Sequence, residues 1–584
     1  MKLGTLLSTA ALFALVVSCS CSNGSRPTNV LLITLDTTRA DALGCYGGPT
    51  GVSPNIDRLA QHGVLFEQAY TPVPVTLPAH SSLFTGRYPH EHGVRNNNVY
   101  SLPEREITLA EVLAESGFDT AAFIGAYVLA EPYGLTQGFD HYDATFEDDT
   151  KTSTFAQRSA GEVTDATLAW LGSRETDKPF FAWVHYYDPH YPYVLPPGAQ
   201  RQMQNLYHEE VRFCDSQLQR ILDRLRDRGE LDDTLIVITS DHGEGLGEHG
   251  ESTHGYFLYQ GTQHIPLIFS HPDLEQAERK ADAVSLLDVV PTVLNFLGLD
   301  SPSVSGSEIL HANQLDRSIL LETELTRADF SLTPVRGLVN GTHKLIALPE
   351  SELYDLVADP RETSNLASRD QELLQELHAA LDRIDWQSAS DARHRPDAES
   401  TKRIQGLGYA GGEESTTPEY SDWDPSELAQ WISLRNAGLE HFFADRKQEA
   451  IGSMRALLVL CPDSHPGHLY LGLALAERGD FLIGLEHLQR AVELQPDASA
   501  DAYWNMTVCL HELGKDDMIP PMLQRAIELN PEHRAARQKL AELSLRAKNI
   551  PAARVHLRVL RDTAPESREG LWAIRILSSM KREP

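Results

Sequence analysis

The chain has 584 residues, 41% of them apolar and 23% charged, a balance that belongs to folded globular protein and a length that exceeds one domain. Its 50 Lys and Arg against 83 Asp and Glu leave a formal charge of −33, which repels phosphate backbones and excludes nucleic acid as a partner. Six cysteines are too few for a disulfide scaffold and lack the paired spacing of a structural zinc site.

In chain order, residues 1–18 open with Lys2, continue through the apolar stretch from Leu12 to Val17 and end on Ser18, directly before Cys19. The apolar stretch is too short to span a bilayer and reads as an export signal. It resembles a bacterial lipoprotein signal, which implies cleavage before Cys19 and lipidation of that thiol. The folded body would then be tethered to a membrane face of the bacterial envelope, in the outer membrane or facing the periplasm.

Residues 28–370 alternate β-rich runs with helical and polar segments, as in "NVLLITLD", "FDTAAFIG", "PFFAWVHYYD" and "TLIVITSD". The pattern predicts an α/β sheet with its functional residues at strand ends. The first run delivers Asp36, the third leads to Asp188 and His190, and the fourth delivers Asp241 and His242. Two aspartates and a histidine make a mixed oxygen and nitrogen site, better suited to Zn²⁺ or Mn²⁺ than to Ca²⁺. Between these runs, "PVTLPAHSSLF" predicts a helix starting around Pro78 with Thr76 at or beside its N-terminus. Free amides and the positive end of the helix dipole there attract an anionic group and help ionise a hydroxyl, so Thr76 is the candidate nucleophile.

Residues 371–428 read as a linker that begins with a charged helical segment, "QELLQELHAALDRI", and continues in polar, Gly- and Ser-containing sequence. Over residues 429–580 a repeat appears. Pro462, Pro496, Pro531 and Pro565 recur at nearly constant spacing, and small residues keep the same register at Gly438, Gly472, Thr507 and Ala541, at Ala450, Gly484 and Ala553, and at Ala491 and Ala526. Ile519 takes one small position, and Pro520-Pro521 is expected to interrupt the second helix of its repeat. The segment looks like an array of tetratricopeptide repeats, an all-α solenoid. Its default role is to hold a protein or peptide in a concave groove; the other reading is an internal brace for the catalytic domain.

Seven segments carry a second resemblance: "LDTTRADALGCYG", "PVTLPAHSSLFTGRYPHEHGV", "HYYDPHYPY", "SDHGEGLGEHG", "HIPLIF", "LLDVVPTVLNFLGL" and "LYDLVADPRETSNL". In that order they identify residues 28–370 as similar to the sulfatase family of the alkaline phosphatase superfamily. The resemblance implies an α/β core around a central mixed sheet, a metal held by Asp36, Asp241 and His242, and a covalent intermediate on residue 76.

Three departures fall at the reacting end. Thr76 replaces the Cys or Ser that family sulfatases oxidise to formylglycine, Leu77 replaces a small residue, and His80 replaces an Arg. "VRNNN" also stands where the usual Gly-Lys would follow Gly93. Threonine at this position resembles the nucleotide pyrophosphatase/phosphodiesterases and phosphoethanolamine transferases, whose metal-bound threonine attacks phosphorus. That resemblance implies Thr76 as a further metal ligand, His190 and His254 as donors to substrate oxygens or to the leaving group, and His80 beside the nucleophile as a substrate contact. A second metal held by some of Asp188, His190 and His254 is a further expectation.

The function expected is a metal-dependent hydrolase of anionic phosphate or sulfate esters, with phosphodiesters or phosphonate monoesters favoured. The alternatives are a sulfuric ester hydrolase working without formylglycine, a phosphoryl-group transferase, and an inactive interaction lipoprotein that acts through its repeats.

Overall fold

The computed structural model describes residues 28–580 apart from 98–99, 147–156, 175–177, 195–202, 204, 276, 313–314, 387–391, 393–421, 497–498 and 532. Cys19 and the export signal lie outside the described residues.

Each of the four predicted β-rich runs forms a strand, and they join one mixed sheet. In chain order the strands are β1 (Asn29–Leu35), β2 (Gly63–Tyr70), β3 (Asp119–Ile124), β4 (His141–Asp143), β5 (Phe180–Tyr186), β6 (Thr234–Thr239), β7 (His264–Ile265), β8 (Leu267–Ser270) and β9 (Glu278–Ser285). They lie in the order β4-β3-β5-β1-β6-β8-β2-β7, with β9 beside β2. The run from β4 to β6 is parallel, and within it β3, β5, β1 and β6 are buried on both sides, which is why these four read as continuous apolar stretches.

Because β5, β1 and β6 are parallel neighbours, their carboxyl ends share one edge of the sheet. Two antiparallel steps, β6 to β8 and β8 to β2, bring the end of β2 to that same edge. Helix α1 (Thr76–Thr85) follows β2 there, starting at Thr76 itself and buried along its whole length. It begins two residues earlier than Pro78 suggested. Pro78 still falls in the first turn, where its missing N–H costs nothing.

A second sheet runs antiparallel as β10 (Ser318–Thr323), β11 (Val335–Asn340), β12 (His343–Ala347) and β13 (Glu352–Asp355). The charged helix expected at the start of the linker covers Gln371–Leu381, and its Leu377 and Leu381 pack on Leu338, Leu345 and Leu353 of this sheet.

The C-terminal region is all helical: α4 (Pro425–Phe443), α5 (Lys447–Leu460), α6 (His465–Arg478), α7 (Phe481–Leu494), α8 (Ala500–Glu512), α9 (Ile519–Leu529), α10 (Arg534–Arg546), α11 (Ile550–Thr563) and α12 (Arg568–Met580), where the label α3 is kept for the short helix Leu325–Phe330 and α2 for Ala160–Ser173. The small residues stand where helices cross. A β-carbon on Gly438 would lie 2.5 Å from Met454 Cε, and one on Gly472 would lie 2.8 Å from Leu488 Cγ. Pro520 and Pro521 do not interrupt a helix. They stand in the first turn of α9, behind a short turn at Asp516–Met518, and the helix is shortened at its start.

The first helices of this region are packed against the N-terminal body. Helices α4, α6 and α8 pack on one another, and α3 of the N-terminal body docks against them. Gln495 donates to the Ala328 carbonyl at 2.6 Å, Trp423 to the Thr333 hydroxyl at 3.3 Å, and Phe330 meets Trp431 at 5.9 Å between ring centroids. The first helices of this region thus pack on the N-terminal body, and one apolar cluster runs from the sheet into the helices.

Candidate active site

Asp36, Asp241 and His242 meet at the common strand edge, with one ligand atom from each lying within 4.8 Å of the others and all three side chains fully buried. The chain turns sharply after Asp36: Thr37 has φ 50°, its N–H reaches Asp241 Oδ1 at 3.2 Å and its hydroxyl donates to the Pro189 carbonyl at 2.7 Å. Those two bonds hold a β-branched residue in the left-handed region, a strain that clusters at functional sites.

His242 is oriented by its neighbours. Its Nδ1 lies 2.9 Å from the Gly243 carbonyl, which can only accept, so Nδ1 carries the proton and Nε2 presents a lone pair. That Nε2 is 3.4 Å from the Thr76 hydroxyl. The nucleophile candidate thus stands beside the carboxylate pair, at the first residue of α1.

The carboxylates are the strongest sign of a cation. Neither oxygen of Asp36 nor Oδ2 of Asp241 has a hydrogen-bond partner, although both residues are 0% exposed. Burial and the nearby carboxylates of Asp241 and Glu244 push the Asp36 carboxyl well above its ordinary range. Burial likewise lifts Asp241 to about 6, against the opposing pull of His80. Burying two adjacent carboxylates without partners is costly, and a divalent cation between them removes the cost. The donor set therefore fits a metal held by Asp36, Asp241 and His242, with the Thr76 hydroxyl beside it.

Two further histidines complete the pocket. The ring of His254 lies 4.4 Å from His242 and 5.0 Å from His190, centroid to centroid. Nδ1 of His254 faces Glu244 Oε1 at 3.1 Å, and Tyr193 donates to the other oxygen of Glu244 at 3.0 Å. Nδ1 of His190 lies 2.6 Å from the Tyr191 carbonyl and 2.9 Å from the Tyr187 hydroxyl, while its Nε2 is buried without a hydrogen-bond partner. Burial holds both rings down to about 3, and in His190 the nearby His254 adds to this. Burial thus favours the neutral form of both rings.

His80 and Asp188 stand elsewhere than expected. His80 points back along α1: its Nδ1 meets the Thr76 carbonyl at 2.8 Å and its Nε2 the Thr34 hydroxyl at 3.2 Å. With both ring nitrogens engaged and no exposure, it has none left for a substrate, which corrects the contact expected for it. Asp188 accepts the Ala160 N–H at 2.7 Å, at the start of α2. Its carboxylate thus serves a helix N-terminus, and this removes Asp188 from the second metal site proposed on sequence; among the described residues one cluster of metal-ligand type occurs.

Other residues at the site escaped sequence reasoning. His185, one residue before the end of β5, has its Nε2 3.4 Å from Asp36 Oδ2, and the Thr34 hydroxyl links it to His80. The "HYYD" run contained it, but only the parallel register of β5 on β1 shows that it faces Asp36. Asn97 accepts the Leu77 N–H at 2.7 Å and keeps a buried amide nitrogen without a partner, a donor placed at the N-terminus of α1. Its signal was the "VRNNN" departure itself. Glu244 was hidden in plain view within "SDHGEG".

Residues 28–299 match the family described as sulfatase. An uncharacterized sulfatase of Escherichia coli (strain K12) is 27% identical over 434 residues, covering 60% of this chain and 86% of its own. The N-acetylglucosamine-6-O-sulfatase of Bacteroides thetaiotaomicron is 25% identical over 502 residues, covering 61% and 88%. Among solved structures, one in complex with its substrate D-glucosamine-2-N,6-O-disulfate superposes with a TM-score of 0.53 at 21% identity, covering 61% of this chain and 97% of the other. The phosphonate monoester hydrolase of Agrobacterium radiobacter gives 0.52 at 23%, covering 61% and 94%.

Proposed function

We propose, from the sulfatase-family domain that this chain carries, that the protein is a metal-dependent hydrolase of phosphodiesters or phosphonate monoesters in which Thr76 forms the covalent intermediate. The observation that carries the reading is the Thr76 hydroxyl at the start of α1, 3.4 Å from His242 Nε2 and beside two carboxylates with unpartnered oxygens. Asp36, Asp241, His242 and Thr76 would hold the cation, Zn²⁺ or Mn²⁺ in preference to Ca²⁺ on the mixed donor set. Such a cation lowers the pKa of a neighbouring hydroxyl and neutralises charge on an ester's non-bridging oxygens.

The chain's own groups account for the rest. Thr76 Oγ1 gives its proton to water and attacks phosphorus, and the bond to the leaving oxygen breaks, giving a phosphothreonine ester and an alcohol that takes its proton from His190 or His254. The positive end of α1 and the amide of Asn97 favour the added negative charge there. His190 already donates from Nδ1 to the Tyr191 carbonyl, so it can give a proton from Nε2 only as the imidazolium. An anionic ester beside it favours that form. Glu244 does the same for His254 from behind, since a carboxylate facing Nδ1 stabilises the charged ring. Water then attacks phosphorus in line and frees Thr76.

Threonine supports phosphorus over sulfur. Its secondary alcohol cannot give the aldehyde from which family sulfatases eliminate sulfate, so the intermediate must leave by a second attack. A phosphodiester or phosphonate monoester also shares its single negative charge between two non-bridging oxygens, where a sulfate ester spreads the same charge over three, so each oxygen gains more from the cation and the donors.

The test pairs an aryl phosphodiester and an aryl phosphonate monoester with the matching aryl sulfate, on metal-loaded protein made without a formylglycine-generating enzyme. The phosphorus esters should turn over much faster, and Thr76→Ala should abolish turnover. Comparable rates on the sulfate, also abolished by Thr76→Ala, would make the protein a sulfuric ester hydrolase working without the aldehyde. Transfer of the phosphoryl group to an added alcohol in place of water would make it a transferase.

The proposal includes a lipid anchor on Cys19 that tethers the protein to the bacterial envelope, and a reading of the helical pairs as tetratricopeptide repeats. The intact mass of the mature chain checks the anchor: an unmodified N-terminus other than residue 19 would remove it.

A further inference from the structure

His254 sits on the long loop that leaves β6, a stretch with little regular structure before Tyr259 beyond the turn Glu248–Gly250. Its position is therefore set by what holds the following residues. Glu251, itself buried, accepts the N–H of Tyr256 at 2.8 Å and that of Phe257 at 3.3 Å. Gly255, at φ 107°, takes the Thr323 hydroxyl on its carbonyl and lies so near Leu325 that a β-carbon would be 2.4 Å from Leu325 Cδ1. The phenol of Tyr256 donates to Asp329 Oδ2 on α3.

The same oxygen of Asp329 faces the helical region. Arg435 on α4 places its Nε 3.1 Å from it, with the guanidinium 5.9 Å from the Tyr256 ring centroid. Tyr256, Asp329 and Arg435 are 2%, 0% and 5% exposed. An ion pair this dry contributes little to docking, because desolvating the charges offsets their attraction. Apolar contacts such as Phe330 on Trp431 serve docking at less cost. What the charge does provide is direction: it aims one carboxylate oxygen at one phenol, two residues from His254.

We propose that Arg435 and Asp329 are positioning residues for His254, so that the first helix of the C-terminal region is part of the scaffold of the active site. The proposal rests on the reading of His254 as a group at the reacting ester, given above. It goes beyond that reading in assigning the helical region a part in turnover.

The experiment uses the full metal-loaded chain, with Arg435→Met, Arg435→Lys and Tyr256→Phe, each alone and combined with His254→Ala. Two measurements are made: turnover of the aryl phosphodiester, and amide hydrogen exchange over residues 251–257. Arg435→Met should lower kcat by about tenfold or more, since small misplacements at a reacting centre are amplified in rate. Arg435→Lys should recover part of the loss. In the His254→Ala background Arg435→Met should cost nothing further, because both changes remove the same contribution. Exchange over residues 251–257 should quicken in Arg435→Met and in Tyr256→Phe, which removes a single oxygen and remains informative if the arginine variant fails to fold.

Equal loss from Arg435→Met with and without His254 would overturn the proposal, as would unchanged exchange over 251–257 in Tyr256→Phe. A wild-type chain that hydrolyses none of the esters would instead defeat the proposed function, and exchange would still decide the brace.

Discussion

Thr76 has no exposed surface, and its hydroxyl is bracketed by His242 and the first turn of α1. Its chemistry is carried by one oxygen. Thr76→Ala should therefore cost roughly a thousandfold or more in kcat, as loss of a nucleophile does elsewhere, while Thr76→Ser, which removes only the γ-methyl, should keep part of the activity. Steady-state kinetics on the phosphodiester checks both; an active alanine variant would point to another nucleophile. The carboxylates beside it give a second expectation. Unpartnered oxygens on Asp36 and Asp241 mean that a bound cation stabilises the folded chain, by about 3 kcal/mol when its concentration is a hundred times the dissociation constant. Chelation should lower the melting temperature, and Asp241→Ala should abolish both the bound metal, by elemental analysis, and the response to chelator.

Between residue and molecule, the segment after α1 is tied down by charge. Arg95 reaches Glu322 at 2.9 Å and Glu324 at 2.7 Å at the end of β10, and His90 approaches Glu322 at 3.3 Å. Two residues beyond Arg95, Asn97 accepts the Leu77 N–H. This network links β10 to the start of α1. Burial alone would raise the Glu322 carboxyl, yet Arg95, His90 and Arg336 hold it down to about 2, against an ordinary value of 4.5. A carboxyl depressed in the folded state contributes stability that is fully present above pH 4.5 and is lost as the pH falls toward 2. The contribution is on the order of a few kcal/mol. In urea unfolding, the stability gap between wild type and Glu322→Gln should shrink steadily as the pH is lowered through this window. A gap independent of pH would show that the pairing contributes nothing through charge.

For the whole molecule, the decisive feature is that one apolar cluster includes Tyr256 and Phe330 of the body together with Leu428, Leu439 and Tyr470 of the helices. A continuous core predicts that the body and the first C-terminal helices unfold together. Gly472→Val tests this, because its β-carbon would meet Leu488 Cγ at 2.8 Å and Leu488 N at 3.0 Å, where backbone leaves no room. The crowding should cost roughly 1–3 kcal/mol. It should shift loss of activity and loss of helical signal to lower denaturant by the same amount. Two separated transitions would mean that the C-terminal helices fold alone.

Local pattern in the amino-acid sequence was enough for four of the strands and for the cluster of metal-ligand type at their ends. Buried parallel strands require unbroken apolar runs, so β1, β3, β5 and β6 stood out, and Asp36, Asp241 and His242 followed from their ends. The position of Thr76 at a helix start was legible because a proline in a first turn marks one, and the small residues at Gly438 and Gly472 were legible as close helix crossings because such crossings exclude large side chains. Orientation was not legible. Whether a histidine faces substrate or core depends on which neighbour satisfies its nitrogens. His80 was expected to contact the substrate and instead bonds its own helix and Thr34, while His185, unremarked in an apolar run, lies against Asp36. Asp188 was drawn to a helix N-terminus by an amide that lies far from it in the chain. The contact of Arg435 with Asp329 joins residues on separate parts of the chain that no periodicity connects. Spacing along a chain reports local geometry, whereas hydrogen bonds and ion pairs are completed across it, and only the tertiary structure decides which donors and acceptors meet.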